Sequence, residues 1–142
     1  MVKKISILIL FFSLLLTQEV KVILSQNKIS TNQSLTLSVE IKNTEQNPEI
    51  DISKVLNNFS IVSGPSLSSE YRFVNGQKSS SRKLSWILIP LSEGFFKYEY
   101  LNVKLGSKII TTDGFEIEVT KDNDSQKSAE EIFLKKIGRA HV

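Results

Sequence analysis

The segment Leu35-Thr-Leu-Ser-Val-Glu-Ile-Lys42 decides the class of fold, because its residues alternate between apolar and polar. A period of two is typical of a β-strand with one face against a core and the other against water. Similar segments lie on both sides of it, and no stretch between positions 19 and 121 has the period of a helix. Besides residues 35–42, these segments cover residues 20–24, 59–63, 71–73, 84–89, 95–101, 103–105, 109–111 and 115–120.

Turn-forming residues separate these segments. Asn75-Gly76 is typical of a type I′ hairpin turn, because both central residues of that turn need a positive φ. Ser63-Gly64-Pro65 predicts a further turn, and Pro90 is expected to end its strand because proline cannot donate to the ladder. About eight short strands with such turns predict an all-β, antiparallel sandwich or barrel, formed by one domain over residues 19–121.

The N-terminus is expected to lie outside this domain. Lys3 and Lys4 precede an uncharged apolar run, ISILILFFSLLL, at positions 5–16. A basic head followed by such a run predicts a helical signal peptide over residues 1–18, since a membrane-spanning helix needs about 20 apolar residues. No clear cleavage site follows the run, so an uncleaved anchor is the alternative.

The C-terminus is interpreted in two parts. Residues 122–135 are polar at first and are predicted to be a linker and the start of a truncated second domain. Residues 128–134 open either a helix or a strand. Residues 136–142, KIGRAHV, correspond to a translated sequencing adapter and are interpreted as a scar rather than as part of the fold.

Composition excludes much of the chemistry that proteins perform. The 142 residues contain no cysteine and one histidine, His141, which lies in the proposed scar. Disulfides, thiolate metal sites and histidine-based catalysis are therefore not expected. The charge of +3 and the pI near 9.1 suggest a nucleic-acid partner. Without Lys3, Lys4, Lys136 and Arg139, however, 14 of the 18 basic residues remain against all 15 acidic ones, so the charge is −1 and no nucleic acid is expected.

Carboxylates and hydroxyls offer a few further candidates for chemistry. Glu116 and Glu118 share one strand face and are interpreted as solvated, although paired carboxylates can perform acid–base catalysis. Asp122-Asn-Asp124 lacks the spacing of a calcium loop and is interpreted as linker. The serines have no histidine base beside them. We therefore expect no catalytic residue, no metal ligand and no cofactor.

Aromatic and basic side chains have two interpretations each. Trp86 and Tyr98, with Tyr100, form either part of the core or an exposed platform that stacks on sugars; the core is favoured because Trp86 lies in a central strand. Lys78, Arg82 and Lys83 are interpreted as a soluble rim beside the hairpin rather than as a nucleic-acid surface.

Four motifs in order along the chain resemble the first domain of the BatD family of oxygen-tolerance proteins. They are Phe59-Ser-Ile-Val-Ser-Gly-Pro-Ser-Leu-Ser-Ser69, Val74-Asn-Gly-Gln77, Trp86-Ile-Leu-Ile-Pro90 and Glu93-Gly-Phe95. Phe115-Glu-Ile-Glu-Val119 is similar to the closing strand of that domain, whereas Ile29-Ser-Thr-Asn-Gln33 lacks the Gly-Glu usual near its start. The Ser-Gly-Pro and Asn-Gly pair at this spacing is the most specific part of the resemblance.

The resemblance implies tandem immunoglobulin-like β-sandwich domains that are exported, in the periplasm or at the inner membrane. It also implies a membrane helix beyond this fragment. The implied partners are BatA- and BatB-like proteins with von Willebrand A domains and a MoxR-type ATPase, in a complex linked to oxygen or stress tolerance and without an established enzymatic activity.

We therefore expect a non-catalytic interaction module. Because loops often carry recognition, the candidate partner-binding residues are Ser63, Gly64, Pro65 and Ser66, with Asn75 and Gly76 of the hairpin. An exposed strand edge is a second way to bind a partner. The alternative function is a carbohydrate- or surface-binding β-sandwich that uses exposed aromatic side chains.

Overall fold

The computed structural model describes residues 18–122. The predicted signal helix, the second domain and the scar lie outside these residues, apart from the positions at the boundaries. Within the described part of the chain, no helix is long and apolar enough to cross a membrane. A single 3₁₀ turn, Val55–Asn57, is the helical element of this region. Ten strands follow one another: β1 (Glu19–Leu24), β2 (Lys28–Ser30), β3 (Leu35–Lys42), β4 (Glu49–Asp51), β5 (Phe59–Val74), β6 (Gln77–Pro90), β7 (Gly94–Tyr98), β8 (Asn102–Leu105), β9 (Lys108–Thr111) and β10 (Phe115–Thr120).

The first layer is an antiparallel sheet of four strands in the order β1-β3-β6-β5. This is the order A-B-E-D of an immunoglobulin constant-type sheet. The strand that contains Trp86 is central, as the sequence predicted, because β6 pairs with β3 on one side and with β5 on the other. β5 therefore lies at the edge of the sheet.

The second layer consists of two three-stranded sheets, β2-β10-β7 and β4-β8-β9, which follow each other along one interrupted hairpin. β7 pairs with β10 and β8 pairs with β9, and the two halves keep the same register. At the interruption, the Thr112 N–H donates to the Leu101 carbonyl at 3.0 Å, and the Leu101 N–H donates to the Thr112 hydroxyl at 2.9 Å. The hydroxyl thus takes the place of a main-chain carbonyl. β2 pairs in parallel with β10, and β4 pairs with β8, so three-residue strands form both edges of this layer.

The inner faces of the two layers form one hydrophobic core. Leu37 and Trp86 of the first layer belong to the same buried cluster as Val103 and Ile117 of the second. Alternation along β3 explains this arrangement, because its four apolar residues all face the core. The ring centroids of Phe59 and Phe96, on opposite layers, are 5.7 Å apart in an edge-to-face contact. The fold is therefore an all-β, immunoglobulin-like sandwich, as expected, and not a barrel.

One local prediction is wrong, and two short strands were not predicted. Ser63-Gly64-Pro65 does not form a turn: it lies inside β5, where the pairing with β6 shifts register between Ile61 and Ser66. A β-bulge replaces the expected loop, and the Gly64–Pro65 peptide bond is cis. β2 and β4 were not predicted, because three residues are too short to show a period.

Candidate interaction surface

Strand β5 is the most exposed element of the domain. It is 16 residues long and only Phe59 is buried. On its outer side it has no neighbouring strand among residues 18–122. Such an edge presents unpaired N–H and C=O groups that can pair with another chain. The other edges are better protected, because β1 has six residues and β2 and β4 have three each.

The core-facing side of β5 is apolar but largely uncovered. Ile61 lies opposite the buried Leu88 and Leu67 lies opposite Leu84, so both point toward the interior side of the sheet. Beyond Ser69, which shares this face, Tyr71 and Phe73 extend the row toward the tip of the hairpin. Tyr71 is 51% exposed and Phe73 is 74% exposed. We call Ile61, Leu67, Tyr71 and Phe73 the β5 apolar row. It is a candidate contact surface because large apolar side chains in a row are unusual on a free surface.

Two cations hold the aromatic ring in the middle of this row. The Lys78 ammonium lies 5.0 Å and the Arg82 guanidinium 5.4 Å from the centroid of the Tyr71 ring. Arg82 also donates from Nη2 to the Tyr71 hydroxyl at 3.2 Å and to the Glu45 carbonyl at 3.0 Å. Tyr71 is therefore fixed in place although half of it is exposed.

The predicted basic rim does not exist as one patch. Arg82 is buried on the core-facing side of β6, and Lys83, its chain neighbour, points to the other face of the sheet. Burial of Arg82 was unexpected, since arginine is rarely buried without partners. Arg82 and Lys83 therefore do not share a face of the sheet.

The outer face of β5 carries an ion pair. The Arg72 Nε donates to the Glu70 carboxylate at 2.8 Å, and both side chains are more than half exposed. This bond to Glu70 raises the pKa of the Arg72 guanidinium. The two charges neutralise each other, so the tip of the strand has no net charge that would repel another strand.

The six predicted binding residues occupy two different places. Asn75 (φ +53°) and Gly76 (φ +75°) form the turn that joins β5 to β6, and the left-handed backbone of both confirms the predicted turn. Ser63, Gly64, Pro65 and Ser66 are exposed but lie in the bulge, so the prediction that they form a loop is wrong.

Gly64 has a structural role within this bulge. Its φ is +111°, and a Cβ atom there would lie 2.7 Å from the Ser85 carbonyl oxygen and 3.0 Å from the Trp86 Cα atom. The close approach of β5 to β6 therefore requires glycine at this position.

The sugar-stacking platform is excluded by burial. Trp86 is 4% exposed and Tyr98 is 6% exposed, so both are core residues as favoured from the sequence. The Tyr98 hydroxyl accepts a hydrogen bond from the Asn58 side chain at 3.0 Å. Burial raises the pKa of the Tyr98 phenol, and the bond from Asn58 opposes this effect. Tyr100, expected in or beside the core, is instead exposed, with the Lys54 ammonium 4.8 Å from its ring centroid.

Glu116 and Glu118, the carboxylates considered for acid–base catalysis, do not face each other across a pocket but lie on the outer face of β10. Glu116 and Glu118 point to solvent, as expected, and form exposed ion pairs with Lys97 (3.8 Å) and Lys28 (4.0 Å). In residues 18–122, no group of three or more His, Cys, Asp or Glu side chains could hold a metal ion.

A depression of about 460 Å³ on the outer side of β4, β8 and β9 contains Glu49 and Asp51. Acid–base pairs need one carboxyl with a raised pKa. The hydrogen bonds from the Ser53 hydroxyl and N–H instead lower the pKa of Asp51, which is exposed. Asp51 is therefore not the raised-pKa member of such a pair.

Comparison with known proteins supports one family. Residues 22–119 match the model of the family described as "BatD DUF11 like domain". No curated protein matches the chain. Among solved structures, the chain is similar to the BIgI domain of beta protein from S. agalactiae, bound in that structure to CEACAM1. That similarity has 17% sequence identity and a TM-score of 0.40, and it covers 73% of this chain and 99% of the other. The fold assignment rests on the strand order described above.

Proposed function

This chain belongs to the BatD family through the domain at residues 22–119, and we propose that it acts as a non-catalytic, exported protein-interaction module. The observation that carries the proposal is β5: a 16-residue edge strand with an uncovered apolar row and a neutral charge pair. Exposed strand edges bind extended segments through main-chain hydrogen bonds, and neighbouring apolar side chains supply specificity. The partner surface is therefore proposed to be β5 and its hairpin tip.

The partners proposed for this surface are BatA- and BatB-like proteins with von Willebrand A domains. They would act with a MoxR-type ATPase in a membrane-associated complex linked to oxygen or stress tolerance. The signal-like N-terminus supports export, with the domain in the periplasm or at the inner membrane. The burial of Trp86 and Tyr98 argues against the version of the carbohydrate-binding alternative that stacks sugars on these two rings.

Two exposed phenylalanines provide a matched test. Phe73 lies in the β5 apolar row and is 74% exposed, whereas Phe95 lies on the second layer and is 63% exposed. Phe73→Lys and Phe95→Lys make the same chemical change, and both should leave the fold intact because neither side chain packs in the core.

The measurement is capture of BatA- and BatB-like von Willebrand A proteins by the tagged full-length protein. Wild type and Phe95→Lys should retain them, and Phe73→Lys should weaken binding at least about tenfold, since an exposed apolar anchor is lost. Equal retention by both variants would place the interface elsewhere. If the wild-type chain retains no von Willebrand A protein, the proposed function is wrong.

A further inference from the structure

We propose that the domain also pairs with a second copy of itself through β5, in an antiparallel two-fold arrangement centred on Tyr71. Pairing of this kind uses the outward main-chain groups of the edge strand. A two-fold axis perpendicular to the sheet keeps the apolar rows of both copies on one side. Self-pairing goes beyond the proposed function: it occupies the outward main-chain groups of both edges, so it competes with strand addition by a different partner, while both apolar rows lie side by side on one face.

The regular part of β5 has the length and position for this pairing. Its register with β6 is regular from Ser66 to Val74 and is irregular between Ile61 and Ser66. The turn at Asn75 closes the other end. A centre at Tyr71 pairs residues 68–74 of one copy with the same residues of the other. This segment reaches the turn and stops short of the bulge.

Charge selects the register. Residues directly opposite each other in an antiparallel pair place their side chains next to each other on the same face. With the centre at Tyr71, Glu70 of each copy lies opposite Arg72 of the other, which gives two opposite-charge pairs. Moving the centre by one residue sets Glu70 against Glu70 or Arg72 against Arg72, and like charges in that position are destabilising.

The next register is excluded by the bulge. A centre at Ser69 would set Phe73 of one copy opposite Pro65 of the other, and proline has no N–H to donate to a ladder. It would also bring Val74 opposite Gly64, where β5 is no longer regularly paired. The strand is therefore complementary to itself in the register centred on Tyr71.

The absence of cysteine from the chain makes a direct test possible. In the proposed pair, Ser69 of each copy lies opposite Phe73 of the other. Within one copy these residues are four positions apart, about 13 Å along an extended strand. A disulfide needs Cα atoms within about 7 Å, so a bond between cysteines at these two positions can form only between copies.

The experiment compares the full-length variants Ser69→Cys, Phe73→Cys and the double variant S69C/F73C under mild oxidation. The double variant should give at least about ten times more covalent dimer on a non-reducing gel than either single variant. All three variants carry the same N-terminal apolar run, so any association through that run is equal in the three and does not affect the comparison. Equal yields from single and double variants, or a high yield from Ser69→Cys alone, would overturn the proposed register.

Charge exchange tests the same register without oxidation. E70R places a cation opposite Arg72 of the second copy, twice by symmetry, and should weaken dimerisation about tenfold in sedimentation equilibrium. E70R/R72E exchanges both charges and should restore it. Both residues are exposed, so circular dichroism should show unchanged folding. A wild-type chain that stays monomeric at every concentration, or a double exchange that does not restore dimerisation, would overturn the proposal. These assays contain this chain alone, so their failure leaves the capture of von Willebrand A proteins unaffected.

Discussion

Gly64→Ala should destabilise the domain strongly, although the residue is exposed and lies in a segment that resembles a turn. The new Cβ atom would lie 2.7 Å from the Ser85 carbonyl oxygen and 3.0 Å from the Trp86 Cα atom, and both are main-chain atoms that cannot rotate away. Forcing such a contact costs about 1–3 kcal/mol. A non-glycine residue at φ +111° adds about 1–3 kcal/mol of backbone strain. The expected loss of unfolding free energy is therefore about 2–6 kcal/mol, a large share of the stability of a domain this size.

Gly76→Ala is the matched control. Gly76 also has a positive φ, +75°, but no atom lies within 4 Å of the position its Cβ would take. This variant should lose only the strain part, about 1–2 kcal/mol. Urea unfolding followed by circular dichroism gives both values. If Gly64→Ala is no more destabilising than Gly76→Ala, the close approach of β5 to β6 at the bulge is incorrect.

Three further predictions concern the core and the charged surface. Trp86→Ala should lower the unfolding free energy by about 3–5 kcal/mol because the side chain is almost fully buried. In the wild-type chain, the fluorescence of this single tryptophan should shift to longer wavelength on unfolding, and an unshifted spectrum would contradict burial. Because the pKa of Tyr98 is raised in the folded state, its contribution to stability is complete below the ordinary tyrosine pKa of about 10 and is lost as the pH rises through the folded-state pKa. Tyr98→Phe should therefore abolish this part of the alkaline decline in stability, and it should cost about 1 kcal/mol at pH 7 through the lost hydrogen bond. An identical alkaline decline in both proteins would refute this cause. Glu116→Gln and Glu118→Gln should each change the unfolding free energy by less than about 0.5 kcal/mol in urea titrations, because their ion pairs with lysine are exposed, and a loss above 2 kcal/mol would show that one of them is a buried partner.

The sequence was a good guide to the longer strands and to the turn at the hairpin tip. Alternation over eight residues leaves one face of β3 to the core, and Asn75-Gly76 has few backbone conformations other than the one observed. Ser63-Gly64-Pro65 was misleading because a bulge and a turn need the same residues: glycine for a positive φ and a proline that does not donate to a ladder.

The candidate surface could not be predicted in the same way. Alternation assigns Tyr71 and Phe73 to one face of a strand, but it cannot show whether the opposite layer covers that face. The second layer ends in strands of three residues, which carry no periodic signal, and β5 is left uncovered. Likewise, the pairing of Glu70 with Arg72 of a second copy could not be predicted before the structure showed that β5 is an edge strand.

The central claim is that β5 is the recognition edge of this domain. Hydrogen–deuterium exchange of the full-length chain, free and in complex with a von Willebrand A partner or at concentrations that favour self-pairing, tests it most directly. Unpaired amides at a strand edge exchange quickly, and pairing slows them. We expect new protection in peptides that cover residues 66–74 and unchanged exchange in β1 and in the β8–β9 hairpin. Protection of β1 or of that hairpin, with no change in β5, would contradict it.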